Sequence, residues 1–366
     1  MSRYDSDGSP DTSFGANGRL TREFTSSWWE EANAVAVQPD GKTVVAGGGN
    51  GYFLIARYDP DGTSDTTFGN DGKAMVRVAT SSSAQGMALQ ADGKIVMSGY
   101  AYTGAVNAFA VARVRPNGTL DTSFGANGAV ATLIGTGSAY ARSVAIQADG
   151  KIVVAGYAYK DFNRAFALVR YNSDGSLDTI FDGDGKVTTP VGISSEVYSL
   201  AFQADGKIVA AGYAWDSGNV DFVLARYNHD GSLDTSFDGD GMVRMRMSNA
   251  NFYAYGVAIQ RDDKILVAGS AWKVTWDIAL VRLYPDGSLD TTFNDSGITV
   301  TPFGDGWSEA RALAIQPDGK IVLAGYASAD AKLGLTGVIG LVAKAKICFA
   351  MSCNENSKGN ETRGCR

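Results

Sequence analysis

Residues 143–191 read SVAIQADGKIVVAGYAYKDFNRAFALVRYNSDGSLDTIFDGDGKVTTPV, and the fold class can be derived from this segment. It holds four extended runs, which we call A, B, C and D in chain order: Ser143 to Gln147, Lys151 to Tyr159, Ala165 to Tyr171 and Lys186 to Val191. Apolar residues alternate in them with a period close to two, and Asp-Gly turns separate the runs. The pattern predicts four antiparallel strands joined by turns.

The same unit recurs along the whole chain. A Gln-x-Asp-Gly-Lys turn, with Asp263 replacing the Gly in one copy, has its Asp at positions 40, 92, 149, 205, 262 and 318. A β-solenoid is the rival architecture, but its repeats are usually shorter. Sheets stacked around an axis bury both faces and leave only short edges, which a single four-stranded sheet cannot do. The sequence therefore predicts an all-β six-bladed β-propeller, with four-stranded antiparallel blades, over residues 1–345.

The two ends of the chain predict how the ring closes. The chain opens with a D strand over Gly18 to Phe24 and ends with A, B and C strands over 311–316, 320–327 and 337–343. We expect the last blade to take its outer strand from the N-terminus. The alternative is a longer natural chain with repeats before Met1 and seven blades. Residues 346–366 form a divergent tail that holds all three cysteines.

Two segments carry a resemblance to a known family. They are Arg170 to Thr179 (RYNSDGSLDT) with Phe181, and Gln203 to Lys207 (QADGK). Over roughly residues 3–327 the chain resembles the delta-60 repeat family of large bacterial proteins. The resemblance implies a repeat architecture and an exported or surface-attached protein, but it implies no reaction and no ligand.

The net charge and the absence of known catalytic motifs limit the classes of function that the sequence supports. Lys and Arg number 32 and Asp and Glu 39, a net charge of −7, which argues against nucleic acid or an anionic membrane as the main partner. No apolar run approaches the length of a transmembrane helix, so membrane insertion is not expected. The single histidine, His229, occupies a variable turn position, and no Ser-His-Asp, zinc or P-loop motif is present. Acids converging at the inner ends of the A strands would signal a calcium-dependent hydrolase or lyase, but Ser143 to Ile146 are small or apolar. The sequence predicts that the chain is not an enzyme.

The C–D loops allow two interpretations. Residues 172–185 place five Asp or Asn side chains in one loop, and oxygen-rich loops are what calcium selects. The other interpretation is ordinary Asp-Gly turn chemistry. We therefore assign no metal ligand and no cofactor, and calcium remains an open alternative.

An arginine ends each complete C strand, at positions 57, 113, 170, 226 and 282. Arginine suits bidentate pairing with a carboxylate, and the C–D loop supplies one nearby, such as Asp178 or Asp234. We predict that the pair braces each blade.

One rim of the ring is predicted to bind a ligand. Strand direction alternates, so the D–A and B–C connections share a rim, which we call the D–A/B–C rim. Aromatic residues with flat stacking faces concentrate there and are the candidate ligand-binding residues: Trp28, Trp29, Tyr102, Tyr140, Tyr159, Trp215, Trp272, Trp276 and Trp307. The alternative for each ring is packing between blades.

These features predict an extracellular or cell-surface scaffold that recognises a glycan or a protein on this rim. A self-associating subunit of a surface layer or filament is the main alternative, and the calcium-dependent hydrolase or lyase is the second.

Overall fold

The computed structural model describes residues 1–5, 7, 9–24, 30–246, 251–272, 275–302 and 307–327, with the backbone of 347–351. In this part of the chain all regular structure is antiparallel β-sheet, in six sheets that follow one another along the sequence. Five sheets have four described strands and the sixth has three. The prediction of an all-β six-bladed propeller is confirmed. No helix able to cross a membrane occurs in the described residues.

Each blade uses its strands in the order A-B-C-D. The A strands are β1 (Glu30–Val37), β5 (Ser81–Leu89), β9 (Ala139–Ile146), β13 (Ser194–Phe202), β17 (Asn251–Ile259) and β21 (Ser308–Ile315). The B strands are β2 (Thr43–Gly49), β6 (Ile95–Tyr102), β10 (Ile152–Lys160), β14 (Ile208–Asp216), β18 (Ile265–Trp272) and β22 (Ile321–Ala327). The C strands are β3 (Tyr52–Tyr58), β7 (Asn107–Val114), β11 (Asn163–Tyr171), β15 (Asn219–Tyr227), β19 (Trp276–Leu283) and β23 (Ile347–Met351). The D strands are β4 (Lys73–Val76), β8 (Ala129–Thr132), β12 (Lys186–Thr189), β16 (Met242–Met245) and β20 (Ile298–Thr301).

The core lies between neighbouring blades. Phe166 and Leu168 of β11 share one buried cluster with Val197 of β13 and Ile208 of β14, in the next blade. The B and C strands are buried on both faces for this reason, and they read as nearly continuous apolar runs. Successive A strands pack beside one another, so they surround the axis of the ring.

The A–B turns follow from their sequence. In the third blade the Asp149 carboxylate accepts a hydrogen bond from the Lys151 amide at 3.1 Å, and Gly150 has a φ of 85°. That left-handed conformation is one that glycine adopts without strain. Where Asp263 replaces the glycine it keeps the same conformation, with a φ of 61°. Aspartate is one of the few residues that tolerate it.

The predicted Arg–Asp brace is present in five blades. Each Arg Nε lies between 2.6 and 2.8 Å from its Asp Oδ2, in the pairs 57–65, 113–121, 170–178, 226–234 and 282–290. Arg170 also stacks on the ring of Phe181 and donates to the carbonyl oxygen of His229 in the next blade, at 2.6 Å. The brace therefore ties neighbouring blades together as well as closing its own C–D loop.

These ion pairs hold the aspartates ionised. Burial alone would raise the pKa of Asp65, but hydrogen bonds from Lys42, Thr67 and Arg57 outweigh it and hold the pKa well below its usual range. Asp234 has the same balance, because Ser236 and Lys207 bond its carboxylate.

The N-terminal segment packs on the first blade. Arg3 pairs with Asp11 at 2.5 Å, and the Gly15 amide donates to the Asp61 carbonyl at 2.7 Å, as Gly69 does to Asn117 one blade later. This segment is thus a C–D corner placed where a preceding blade would stand. Residues 18–24 form no ladder with the sixth sheet in the described residues, whose third strand is β23. The predicted C strand at 337–343 falls outside the described residues, and the boundary at 345/346 stays a prediction.

Candidate functional site

Each A strand contains a β-bulge at the same place. The pairing between the A and B strands slips by one residue in all six blades. The extra residues form what we call the bulge row: Asn33, Gln85, Arg142, Tyr198, Tyr255 and Arg311. A bulge re-aims a side chain and is common beside functional sites. The bulge row is therefore a candidate part of a functional site.

A glycine in each B strand makes the bulge possible. A Cβ on Gly156 would lie 2.0 Å from the carbonyl oxygen of Tyr140, and one on Gly212 would lie 1.8 Å from that of Glu196. Every blade repeats this close approach, at glycines 47, 99, 156, 212, 269 and 325. An isolated glycine inside a strand is a recognised sign of a bulge, so the sequence contained this signal.

Bulge-row residues of neighbouring blades contact one another. Arg142 donates from Nη1 to Gln85 Oε1 at 3.3 Å, and its guanidinium lies 5.6 Å from the ring centre of Tyr198. The rings of Tyr198 and Tyr255 meet edge to face at 5.2 Å, and Arg311 lies over Tyr255 at 4.0 Å. The row is thus a polar and aromatic belt around the axis, from the second blade to the sixth.

Carboxylates lie two residues before three of the bulge positions, at Glu31, Glu196 and Glu309. Glu196 is almost fully buried, pairs with Arg164 and accepts a hydrogen bond from Tyr198 Oη at 3.1 Å. Glu309 is buried beside Arg311, with 2.5 Å between Oε2 and Nη2. The prediction that the A strands are only small and apolar is therefore wrong. It rested on residues 143–146, whereas β9 begins four residues earlier, at Ala139.

A cluster of tyrosines lies beside this belt. Tyr140 stacks on Tyr157 at 5.2 Å and meets Tyr100 edge to face at 5.0 Å. Two blades on, Tyr213 lies 4.8 Å from Tyr253. Burial raises the pKa of Tyr157 and of Tyr213, so both phenols stay protonated and neutral at physiological pH.

The outer end of the site is an arc of aromatic side chains. Four consecutive blades carry one at the same register position, the third residue after the B-strand glycine: Tyr102, Tyr159, Trp215 and Trp272. We call these four residues the aromatic arc. Tyr102, Trp215 and Trp272 are 41%, 43% and 42% exposed, and Tyr159 is half-buried. The first blade has Asn50 at this position, so the arc begins at the second blade.

The remaining predicted residues divide into three groups. Tyr140 and Trp276 are half-buried members of the aromatic cluster, and Trp276 lies 5.2 Å from Tyr253. Trp307 precedes β21 and is 60% exposed. Trp28 and Trp29 lie outside the described residues. Packing between rings and exposure on the rim, which the sequence posed as alternatives, therefore both occur.

A shallow depression of about 250 Å³ lies at one end of the arc, between the first and second blades. Its lining is polar and small, with Glu31, Asn50, the serines 81–83 and three glycines, and Tyr100 forms one side. A Cβ on Gly48 would lie 2.8 Å from the Cβ of Ser83, so the close approach of the two blades favours glycine there. Hydroxyl, amide and carboxylate groups thus stand beside the aromatic rings.

In the oxygen-rich C–D loops, aspartate side chains form hydrogen bonds within their own turns. Asp174 accepts hydrogen bonds from the Ser176 amide and hydroxyl at 2.9 and 2.6 Å, and Asp178 is taken by the brace. In the part of the chain that is described, no three acidic, histidine or cysteine side chains form a metal-binding group. Calcium in these loops stays an untested alternative.

Comparison with known sequences identifies the repeat. A family model described as a domain of unknown function (DUF5122) beta-propeller matches residues 38–68, 90–124, 147–181, 203–237, 260–293 and 316–332. The chain belongs to the DUF5122 β-propeller family. Five of the matched DUF5122 segments run from the Gln of the A–B turn to the Phe under the brace arginine. The A strands, with the bulge row, lie outside the matched segments. No curated protein matches this chain.

Solved structures share the propeller fold at low sequence identity. A streptogramin B lyase structure is 12% identical, with a TM-score of 0.51 over 85% of this chain and 81% of that one. Virginiamycin B lyase from Staphylococcus aureus is 12% identical, covering 82% and 94%, with a TM-score of 0.40. A protein of unknown function from Dyadobacter fermentans is 14% identical, covering 81% and 90%, with a TM-score of 0.46. At 12% identity the likeness to the streptogramin B lyase structure shows the fold alone.

The prediction that this DUF5122 chain is not an enzyme is corrected. The fold gives no ground for it, because the streptogramin B lyase structure is a propeller of similar architecture. The argument from the A strands also fails, since Glu196 and Glu309 occupy them beside arginines and tyrosines.

Proposed function

We propose that the chain recognises a glycan on the D–A/B–C rim, with the aromatic arc as the stacking surface. The observation that carries this proposal is the exposure of Tyr102, Trp215 and Trp272 at one register position of the second, fourth and fifth blades. Buried aromatic residues would serve packing alone, whereas exposed rings present flat apolar faces that can stack on a sugar ring.

Polar groups beside the arc suit the same ligand. A sugar needs hydrogen-bond partners around its stacked face, and the depression next to Tyr100 offers serine hydroxyls, Asn50 and the exposed carboxylate of Glu31. The scaffold suits recognition as well, because the braces fix the blades while the rim residues vary from blade to blade.

We propose that the protein acts outside the cell or on the cell surface, in keeping with the resemblance to the exported delta-60 repeats. A protein ligand on the same rim and self-association of the propeller are the competing outcomes. Self-association predicts a molecular mass that increases with concentration, whereas a protein ligand predicts a blank glycan array at constant mass.

The test is a glycan array probed with the purified protein, with and without a calcium chelator. We expect specific sugar binding that persists when calcium is removed, because the arc contains no metal ligand among its described residues. Loss of binding with chelator would instead assign a role to the Asp-rich loops. A blank array together with a concentration-dependent increase in molecular mass would refute the glycan proposal and favour self-assembly.

A further inference from the structure

Arg142 differs from the other arginines near the axis. Arg164 is paired with Glu196, and Arg311 with Glu309. Arg142 has no acidic partner among the described residues. Among the described residues its side chain donates a hydrogen bond to a neutral amide, Gln85 Oε1, and its Nε is buried with no partner there. Arg142 as a whole is half-buried, so its side chain stays partly exposed, and an acidic group bound there would supply the counter-charge that the described residues do not.

The surroundings of Arg142 fix its position. The guanidinium lies 5.5 Å from the ring centre of Tyr157 and 5.6 Å from that of Tyr198, one on its own blade and one on the next. The faces of tyrosine rings attract a cation, so the two rings hold the group without neutralising it. The two rings therefore fix the position of the Arg142 guanidinium in advance. Its hydrogen-bond donors are not all occupied by other described residues.

A continuous set of aromatic contacts joins Arg142 to the arc. Tyr159, an arc residue, lies 6.4 Å from Tyr140, which stacks on Tyr157, and Tyr157 contacts the guanidinium. Of the two bulge-row arginines, Arg142 is the one that these contacts join to the arc, and it has no acidic partner in the described residues.

We infer that Arg142 binds the carboxylate of an acidic sugar, so that the glycan recognised on the rim carries a uronate or similar acid. This inference rests on the proposed glycan-binding function and specifies its ligand class. Arginine matches a planar carboxylate with two parallel hydrogen bonds. The single positive charge of Arg142 matches a monoanionic carboxylate better than a dianion such as a phosphate ester.

The test compares acidic glycans with their own methyl esters. Tri-galacturonate and its methyl ester have the same rings and differ in charge, and a glycan array extends the comparison to other uronates, to sialates and to sulfated sugars. We expect the acid to bind about tenfold to a hundredfold more tightly than the ester, as a charge-assisted pair implies. In Arg142→Gln this preference should disappear, while affinity for the ester is retained and reports correct folding.

Two further variants complete the design. Arg142→Lys keeps the charge but loses the fork, so an intermediate preference is expected. Arg115→Gln removes an exposed arginine from the opposite rim and should leave the preference unchanged.

The inference is overturned if acid and ester bind equally, if Arg142→Gln retains the preference for the acid, or if sulfated sugars alone are bound. Neutral sugars that bind through the aromatic arc would overturn the inference and leave the proposed function standing. Failure of every glycan to bind would remove both.

Discussion

Replacing Asp178 by Asn removes one charge from a brace while nearly preserving its shape. The Arg170 and Asp178 side chains are 0% and 4% exposed, and Arg170 Nε lies 2.7 Å from the carboxylate. Lys151 Nζ is a second cation at 3.1 Å. The variant therefore leaves two positive groups around a neutral amide, with Arg170 fully buried.

The expected loss in the free energy of unfolding follows from the burial of this ion pair. Removing one partner of a buried ion pair costs about 3–5 kcal/mol, most of it from the charge that is left unpaired. Asn keeps part of the hydrogen bonding, so we expect a loss near the lower end, about 3 kcal/mol. Adding Arg170→Met to Asp178→Asn should recover part of the loss, because the unpaired buried charge is then gone.

The assay is urea unfolding followed by tryptophan fluorescence. The matched control is Asp184→Asn in the same loop, where the carboxylate is 63% exposed and 3.7 Å from Lys186 Nζ. An exposed pair of this kind contributes at most about 1 kcal/mol. Equal losses for the two variants, or a double variant less stable than Asp178→Asn alone, would refute the account of the brace.

Two further predictions concern the bulge and the effect of pH. Gly212→Ala should lower the free energy of unfolding by roughly 1–3 kcal/mol, since its Cβ would lie 1.8 Å from the carbonyl oxygen of Glu196. Gly256→Ala, whose Cβ would be 3.3 Å from its nearest neighbour, should cost much less, and equal urea midpoints would contradict the bulge argument. The depressed pKa values of Asp65 and Asp234 mean that their stabilisation is present above the ordinary pKa of about 3.9 and is lost as the pH falls through the folded-state value. The urea midpoint should therefore decrease as the pH is lowered from about 5 to 2, and a flat profile would contradict this linkage.

The features that could be predicted from the sequence were those set by residues close together in the chain, within one repeat. An Asp-Gly pair is enough to specify a tight turn. An arginine eight residues before an aspartate also meets that aspartate when the C–D loop folds back, as Arg170 meets Asp178. The aromatic rim was predictable because strand alternation fixes which connections share a side. Tyr102, Trp215 and Trp272 are indeed exposed there.

The bulge row was missed for a physical reason. A bulge adds a residue to a strand and breaks the period of two, so Tyr140 and Arg142 fell before the predicted start of their A strand. The contacts that give the row its character also join different blades, such as Arg142 with Tyr198, 56 positions apart in the chain. Only the recurring B-strand glycine, Gly156 in this blade, marked the site in the sequence.

The aromatic arc is proposed to bind a glycan. Isothermal titration of the tightest-binding array sugar into wild type, Trp215→Ala and Ile180→Ala tests it most directly. Ile180 is 64% exposed on the opposite rim and controls for loss of exposed apolar surface. Removing a stacking tryptophan from a binding site typically costs about 2 kcal/mol, so Trp215→Ala should bind roughly 30-fold more weakly, with Ile180→Ala unchanged. Unchanged affinity in Trp215→Ala, or an equal loss in both variants, would contradict the claim.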